Sequence, residues 1–406
     1  MKRIALFPLL EDIPITRLKG KRVIVRADFD VPVIKGRVGE EFRVRANFAT
    51  LAFLLRAGAH IRIISHMGRP GGKKEKKLSL RPIAAFLQKA INQKIIFIDD
   101  PLSERTWQRH NHSEKILFFE NLRFWAGEEA NDLAFAKSMA RWGDIYVNEA
   151  FASAHRSHAS IDALARMLPH YAGIHLAKEI SVLTRILLHP LHPFVAILGG
   201  AKLETKLPLI HRFLTSADFV LVGGALANSI FFLRGNEMGK SRPDNISAIG
   251  SSQLFAAKKL ILPFDVVTTK KIARSSRVTI RRPTEVRQDE YAVDIGPETL
   301  THFVEIAKRA QTVVWNGPLG LCEVSPFNKG TERFMRALAR QKSFRVIGGG
   351  DTITVLGKNS MLDKFSHVST GGGAMLEFLA GKKLPGIEAL KKVKTKNEKG
   401  KTIIQN

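Results

Sequence analysis

Short, near-continuously apolar runs alternate with longer helical stretches along almost the whole chain, and this alternation limits the fold more than any single residue does. The runs at residues 23–25, 61–64, 95–98, 116–119 and 145–147 are rich in Ile, Val and Phe. Strands read this way when helices cover both faces of a parallel sheet. Helical patterns lie between them, at 45–56 and 80–90. The second half repeats the alternation with runs at 194–198, 219–222, 261–262, 313–315 and 344–347. The fold class is therefore α/β, with two Rossmann-like domains, each a parallel β-sheet flanked by helices. A length of 406 residues agrees, since single cores stop growing well below that size. The join falls near 172–189, where residues 176–188 have helical periodicity and Pro190 and Pro193 close the pattern. A helix there makes a rigid hinge rather than a loose linker.

Composition narrows the setting more than the chemistry. A single cysteine, Cys322, excludes an intrachain disulfide framework and fits a reducing compartment. No apolar run reaches the roughly 18 residues of a membrane span. The basic start followed by the apolar run at 4–10 imitates a signal peptide, but Pro8 interrupts it, Glu11 and Asp12 follow, and no small-residue cleavage site occurs. A cytoplasmic location is expected. The net charge of +27 attracts anions in general and cannot choose among nucleic acid, acidic membranes and phosphorylated small molecules. No nucleic-acid-binding motif is present to favour the first. Lysines gather partly in two polar segments, 71–77 and 391–401, and beyond Leu390 the composition turns to Lys, Asn, Glu and Gly, as in a disordered tail.

Polar punctuation falls at the carboxyl ends of the strand-like runs, where open α/β sheets bind ligands. The first half places Arg and His there: Arg26-Ala27-Asp28-Phe29-Asp30, Ser65-His66-Met67-Gly68-Arg69-Pro70 and Glu120-Asn121-Leu122-Arg123. The second half places Gly, Lys, Asp and Thr: Gly199-Gly200-Ala201-Lys202, Gly223-Gly224, Asn316-Gly317-Pro318 and Gly348-Gly349-Gly350-Asp351-Thr352. Guanidinium groups pair bidentately with carboxylate or phosphate, which suits a small polyanion. Glycine-rich turns with lysine suit nucleotide phosphates. In the last loop, which leaves the run at 344–347 and enters an apolar helix-like run at 353–356, glycine lets backbone amides approach an anion, and Asp351 adds a carboxylate suited to a phosphate-bound magnesium ion. Taken alone, each of these has a plainer reading: a tight turn for the glycines, a surface ion pair for an arginine, a solvated helix face for Lys202 and Lys206. His155 and His158 could pass for a metal pair, but no third ligand at zinc spacing accompanies them. No Walker A sequence and no Gly-x-Gly-x-x-Gly fingerprint occurs, which disfavours P-loop and dinucleotide readings.

Nine strings in a fixed order decide among these readings. Besides those above they include Gly127-Glu128-Glu129, Ala154-His155-Arg156-Ser157-His158-Ala159-Ser160, Leu203-Glu204-Thr205-Lys206, Trp315-Asn316-Gly317-Pro318-Leu319-Gly320, Ser369-Thr370-Gly371-Gly372-Gly373-Ala374 and Leu384-Pro385-Gly386-Ile387. Together they resemble the phosphoglycerate kinase family over nearly the whole chain. The resemblance implies reversible, magnesium-dependent phosphoryl transfer from 1,3-bisphosphoglycerate to ADP, giving 3-phosphoglycerate and ATP, by a monomer whose domains close about a hinge.

The resemblance also assigns residues. Asp28, Phe29, Asp30, His66, Met67, Gly68, Arg69, Arg123 and Arg156 would bind the glycerate substrate, and Arg43 would reach the transferring phosphoryl group. Lys202, Lys206, Gly223, Gly224, Asn316, Pro318, Glu323 and Gly348-Gly349-Gly350-Asp351-Thr352 would bind the nucleotide. Asp351 would ligate its Mg²⁺, and Gly350 and Gly372 join Arg43, Lys202 and Lys206 as catalytic. The implied domains are 1–173 for the glycerate substrate, a hinge helix at 174–189, 190–390 for the Mg-nucleotide with its last residues returning to the first domain, and a basic tail at 391–406. Three departures stand out. Asp30 occupies a position that is usually asparagine, Ala225 one that is often glycine, and Glu149-Ala150-Phe151-Ala152 replaces an Asp-Ala-Phe-Gly string.

Overall fold

A computed structural model describes residues 7–110, 114–243, 254–355, 359–391, 393–396 and 402–405. It divides into two compact units, Met1–Ser181 with Lys383–Asn406, and Val182–Lys382. The division falls inside the helix Ile174–Leu188.

The first unit holds a six-stranded sheet in the order Ile96–Ile98, Ile116–Phe119, His60–Ile64, Arg22–Arg26, Ile145–Asn148, His170–Ala172. All of its pairings are parallel. The run at 116–119 is buried throughout, as a central strand with two covered faces must be. Phe118 stacks between Phe29 and Phe97, with ring centroids 5.7 and 6.0 Å away. Helix Arg81–Ile91 shows how the covering layer forms. Proline stands in its first turn, Ile83, Ala84 and Leu87 supply the buried stripe, and Asn92 ends it in the left-handed conformation at φ 51°.

The second unit repeats the plan, in the order Leu260–Ile261, Phe219–Val222, Phe194–Leu198, Thr312–Asn316, Phe344–Gly348, His367–Val368. These pairings are parallel too. In helix Pro297–Arg309 the buried residues Thr299, Phe303 and Ala307 recur every fourth position, and Phe303 meets Phe334 edge-on at 6.4 Å.

Strand order reverses direction between Arg22–Arg26 and Ile145–Asn148 in the first sheet, and between Phe194–Leu198 and Thr312–Asn316 in the second. The connections leave such neighbours toward opposite sides, so a crevice opens at their carboxyl ends. Arg26, Asn148, Gly199 and Asn316 stand at or next to those ends.

Several features differ from the expectations. The helix expected at 45–56 is two helices, Glu41–Arg45 and Phe48–Arg56, because Asn47 folds its amide back onto the carbonyls of Arg43 and Val44. An antiparallel three-stranded sheet, Thr279–Arg281, Val266–Thr269 and Tyr291–Ile295, interrupts the α/β alternation. The glycine-rich loop is shorter than expected, since Gly348 still belongs to the strand and the helix Gly350–Val355 already contains Asp351 and Thr352. Leu356, the last residue of the expected helical run, lies outside the described residues. In the tail, Val393–Lys396 pairs antiparallel with Thr402–Gln405, departing from the expected disorder; these segments are rich in β-branched residues.

Removing the ring of Phe118 leaves a cavity between two other rings. Phe118→Ala should destabilise the first unit by roughly 3–5 kcal/mol in urea unfolding; a loss below about 1 kcal/mol would show that the stack does not anchor this core.

Candidate active site

The loops at the carboxyl ends of the first sheet bring most of the expected anion-binding residues together. Arg43 reaches back from the short helix Glu41–Arg45: its Nη1 donates to the Asp30 carbonyl at 2.7 Å, and its Nη2 lies 3.4 Å from Asp28 Oδ2. Glu40 Oε2 stands 3.4 Å from the same guanidinium. Burial alone would lower the Arg43 pKa, but Asp28, Glu40 and Asp30 outweigh it and hold the group above its ordinary value. Asp30 Oδ1 accepts from the Gly68 amide at 2.9 Å, so this aspartate ties the first loop to the second. Phe29 is buried, its amide bonded to Ser65 Oγ at 3.0 Å, and the Met67 amide donates to Asn121 Oδ1 at 3.2 Å.

Behind these loops lies a group of cations with few counter-ions. Arg26 is fully buried; its Nε donates to Ser160 Oγ at 2.7 Å and its Nη2 meets His66 Nδ1 at 2.9 Å. The Ser160 hydroxyl in turn donates to Glu128 Oε1 at 2.6 Å. Arg123 Nη1 donates to the Gly68 carbonyl at 2.5 Å, and its Nε sits 3.4 Å from Glu129. Arg123 Nη2, Arg43 Nε and Asp28 Oδ1 are buried without a hydrogen-bond partner among the described residues. Such groups are costly unless a ligand completes them. Burial, then Arg156 and Arg26, lowers Arg123 to about 10. Burial also holds His66 well below its ordinary 6.5, helped by Arg26, Arg123, His158 and Arg156. His158 falls to about 3 for similar reasons. The basin is therefore charged by arginine, with His66 and His158 held neutral.

The second unit builds a different surface. Lys206, in the first turn of helix Leu203–Ser216, is buried and donates to the Gly199 carbonyl. Burial lowers its pKa to about 8, against the opposing pull of Asp351. Lys202 is exposed and caps that helix in an extended conformation, so the two lysines do not share one helix face. Glycine backbones crowd the strand ends. Gly349 has φ +101°, open to glycine at little cost, and a Cβ on Gly372 would fall 2.9 Å from the Gly349 Cα. The two glycine turns thus stack backbone on backbone. Thr352 Oγ1 accepts from the Gly317 amide at 2.9 Å, joining this loop to Asn316-Gly317-Pro318. Asn316 Nδ2 is buried without a hydrogen-bond partner among the described residues, 3.3 Å from where a Gly349 Cβ would lie. Gly223 abuts Leu319, Gly224 abuts the Pro318 carbonyl, and Gly348 is buried.

The structure thus gathers Asp28, Phe29, Asp30, Arg43, His66, Met67, Gly68 and Arg123 in one unit, with Arg156 half-buried and close enough to shift its neighbours. Arg69 is exposed. In the other unit it gathers Lys206, Gly223, Gly224, Asn316, Pro318, Gly348, Gly349, Thr352 and Gly372, while Asp351, Gly350, Lys202 and Glu323 are exposed. Sequence reasoning did not single out Arg26, Ser160 and Glu128. They stood there only as members of the motif strings at 26–30, 127–129 and 154–160, with no role of their own.

His66 should show no titration between pH 5 and 8 in the ring-proton NMR spectrum of the folded protein. The sign for stability follows. Below 6.5 the unfolded chain takes up a proton that the folded site refuses, so the stability His66 contributes is full above 6.5 and drains away on acidification toward the lower folded pKa. A His66 midpoint near 6.5 in the folded state would contradict this.

Comparison with known proteins agrees with this geometry. The family model described as phosphoglycerate kinase matches residues 10–382. The chain is 38% identical over 380 residues to the phosphoglycerate kinase of Pelotomaculum thermopropionicum, and 41% identical over 381 residues to that of Moorella thermoacetica. Each match spans 92% of this chain and 97% of the relative. The solved phosphoglycerate kinase structure from Coxiella burnetii superposes with a TM-score of 0.79 at 35% identity, covering 95% of this chain and 98% of that one. The one from Pyrococcus horikoshii OT3 gives 0.81 at 28% identity, over 94% and 98%. A basin of arginines at one switch point, a glycine cradle with a buried lysine at the other, and relatives alike from end to end lead to one conclusion: the chain belongs to the phosphoglycerate kinase family.

Proposed function

We propose that the arginine basin holds 3-phosphoglycerate or 1,3-bisphosphoglycerate and that the glycine cradle holds Mg-ADP or Mg-ATP. The family reaction passes a phosphoryl group reversibly between the acyl phosphate of 1,3-bisphosphoglycerate and ADP, a step of glycolysis. One observation carries the assignment in the first unit: buried guanidinium N–H groups on Arg123 and Arg43 have no hydrogen-bond acceptor among the described residues. A ligand bearing phosphate and carboxylate supplies acceptors of the right charge. His66, Arg69, Arg123 and Arg156 take those groups, Asp28, Phe29, Asp30, Met67 and Gly68 line the rest, and Arg43 faces the transferring phosphoryl group. In the second unit Lys202, Lys206, Asn316, Gly348, Gly349, Gly350 and Thr352 receive nucleotide phosphates. Gly223, Gly224 and Pro318 border the base, Glu323 accepts from the ribose, and Gly372 supports the phosphate loop.

Among the described residues, no cluster of three or more His, Cys, Asp or Glu side chains could hold a metal by itself. A lone, exposed Asp351 whose charge reaches Lys206 suits an ion that arrives on the nucleotide, since magnesium commonly takes one carboxylate, waters and phosphate oxygens. When bound, Mg²⁺ offsets charge on the phosphate oxygens.

The chemistry then asks little of the protein beyond placement. In ATP formation a β-phosphate oxygen of ADP bonds to phosphorus as the acyl-phosphate P–O bond breaks, leaving the glycerate carboxylate. In reverse that carboxylate, already ionised, is the nucleophile, so no general base is needed. Arg43 and Lys206 offset charge on the phosphoryl oxygens in flight. Hinge closure, the family's mechanism, supplies proximity and excludes water. We assign the hinge to residues 174–189, the glycerate domain to 1–173 and the nucleotide domain to 190–390, its last residues, from Lys383 on, returning to the first unit, in a cytoplasmic monomer.

A coupled assay of ATP formation from 1,3-bisphosphoglycerate and ADP tests this directly. Arg43→Ala should lower kcat by roughly 10³–10⁵, and Asp351→Ala should raise the KM for Mg-ADP while sparing that for the glycerate substrate. Full activity in both variants would overturn the assignments. Lys206 adds a pH signature. Its charge is lost as pH rises through about 8, so kcat/KM for the nucleotide should fall above that value, and Lys206→Arg should move the fall upward. A profile flat to pH 10 in the unaltered enzyme would contradict a Lys206 that loses its charge near 8.

A further inference from the structure

Arg26 takes no part in the assignments above, yet it is the fully buried centre of a directional hydrogen-bond chain. Arginine has only N–H donors, so every bond it makes fixes its partner as acceptor. Its Nη2 lies 2.9 Å from His66 Nδ1, which must therefore offer a lone pair. The single ring proton of a neutral imidazole is then on Nε2. That nitrogen faces Asp30 Oδ2 at 3.6 Å, an acceptor placed beyond direct hydrogen-bond reach. On its other side Arg26 is locked: Nε donates to Ser160 Oγ at 2.7 Å, Nη1 donates to the Ala27 carbonyl, and the Ser160 hydroxyl donates onward to Glu128 Oε1 at 2.6 Å. Glu128 is fully buried and also accepts from the Ser160 amide at 2.9 Å.

We infer that Arg26, held by Ser160 and Glu128, is a positioning residue that keeps His66 in the Nε2–H tautomer, so that His66 serves the glycerate substrate as a neutral hydrogen-bond donor and not as a cation. The inference rests on the glycerate-site assignment for its functional half only. Burial and the cations around the ring, Arg26, Arg123 and Arg156, oppose its protonation, while Asp30 is the carboxylate beside it. The division of labour is then clear: arginines supply charge, and His66 supplies a directed N–H.

Nitrogen-15 spectra of the imidazole rings in the full-length, ligand-free protein decide the tautomer, because protonated and unprotonated ring nitrogens resonate far apart. The expected pattern for His66 is an unprotonated Nδ1 and a protonated Nε2. The reverse tautomer, or an imidazolium, overturns the proposal. Arg26→Leu should scramble the tautomer and raise the KM for 3-phosphoglycerate at least about tenfold, with the KM for Mg-ATP held within about twofold. An unchanged tautomer or an unchanged 3-phosphoglycerate KM in that variant overturns the positioning role. Should Arg26→Leu fail to fold, Ser160→Ala decides with the same two readouts, the KM rising about fivefold. Absence of any turnover of 3-phosphoglycerate by the unaltered chain would instead reject the site assignment, and the tautomer would still be read independently.

Discussion

One buried guanidinium holds the first half of the site together. Arg26 ends the strand Arg22–Arg26 and touches the loop after His60–Ile64 through His66, while Ser160 links it to Glu128 on the short helix Ala126–Glu129. Four segments distant in sequence converge on a cation that water cannot reach. Such a group is tolerated in a core only where its donors are met, and here carbonyl, hydroxyl and imidazole acceptors meet them. The orientation of the substrate loops is thus a by-product of satisfying Arg26.

The neighbouring cations are less well served. Arg123 is lowered to about 10 by burial beside Arg156 and Arg26, and part of its guanidinium has no partner. The fold carries this mismatch because the parallel sheet around it is well packed, with Phe29, Phe118 and Phe119 fully buried beneath the loops. Electrostatic repulsion held in a rigid frame becomes affinity when a polyanion enters. The second unit does the same with one charge, since Lys206 is buried against a carbonyl and only Asp351 pulls its pKa upward. In our proposal each unit is prepared for an anion of its own kind.

Much of this was legible beforehand, for identifiable reasons. Runs buried on both faces announce parallel strands, so 116–119, 194–198 and 219–222 match the structure residue for residue. Strand-end polarity pointed to both groups of residues that we assign to the site. The antiparallel sheet at 266–295 was missed because its strands mix polar with apolar residues and lack the continuous apolar signature. The break at Asn47 depends on a side-chain bond that periodicity does not register. Lys202 and Lys206 could be read together as one solvated helix face, and only the helix boundary separates an exposed cap from a buried amine. Arg26 read as one more strand-end arginine, since burial at the sheet centre is a property of topology, not of local sequence.

The central claim is that each unit binds one ligand through its own cations. Calorimetric titration of 3-phosphoglycerate and Mg-ADP into Arg123→Ala and Lys206→Ala tests it most directly. The account predicts orthogonal losses: Arg123→Ala weakens 3-phosphoglycerate at least about tenfold and spares Mg-ADP, and Lys206→Ala does the reverse. Loss of Mg-ADP binding in Arg123→Ala, with 3-phosphoglycerate bound as before, would contradict it.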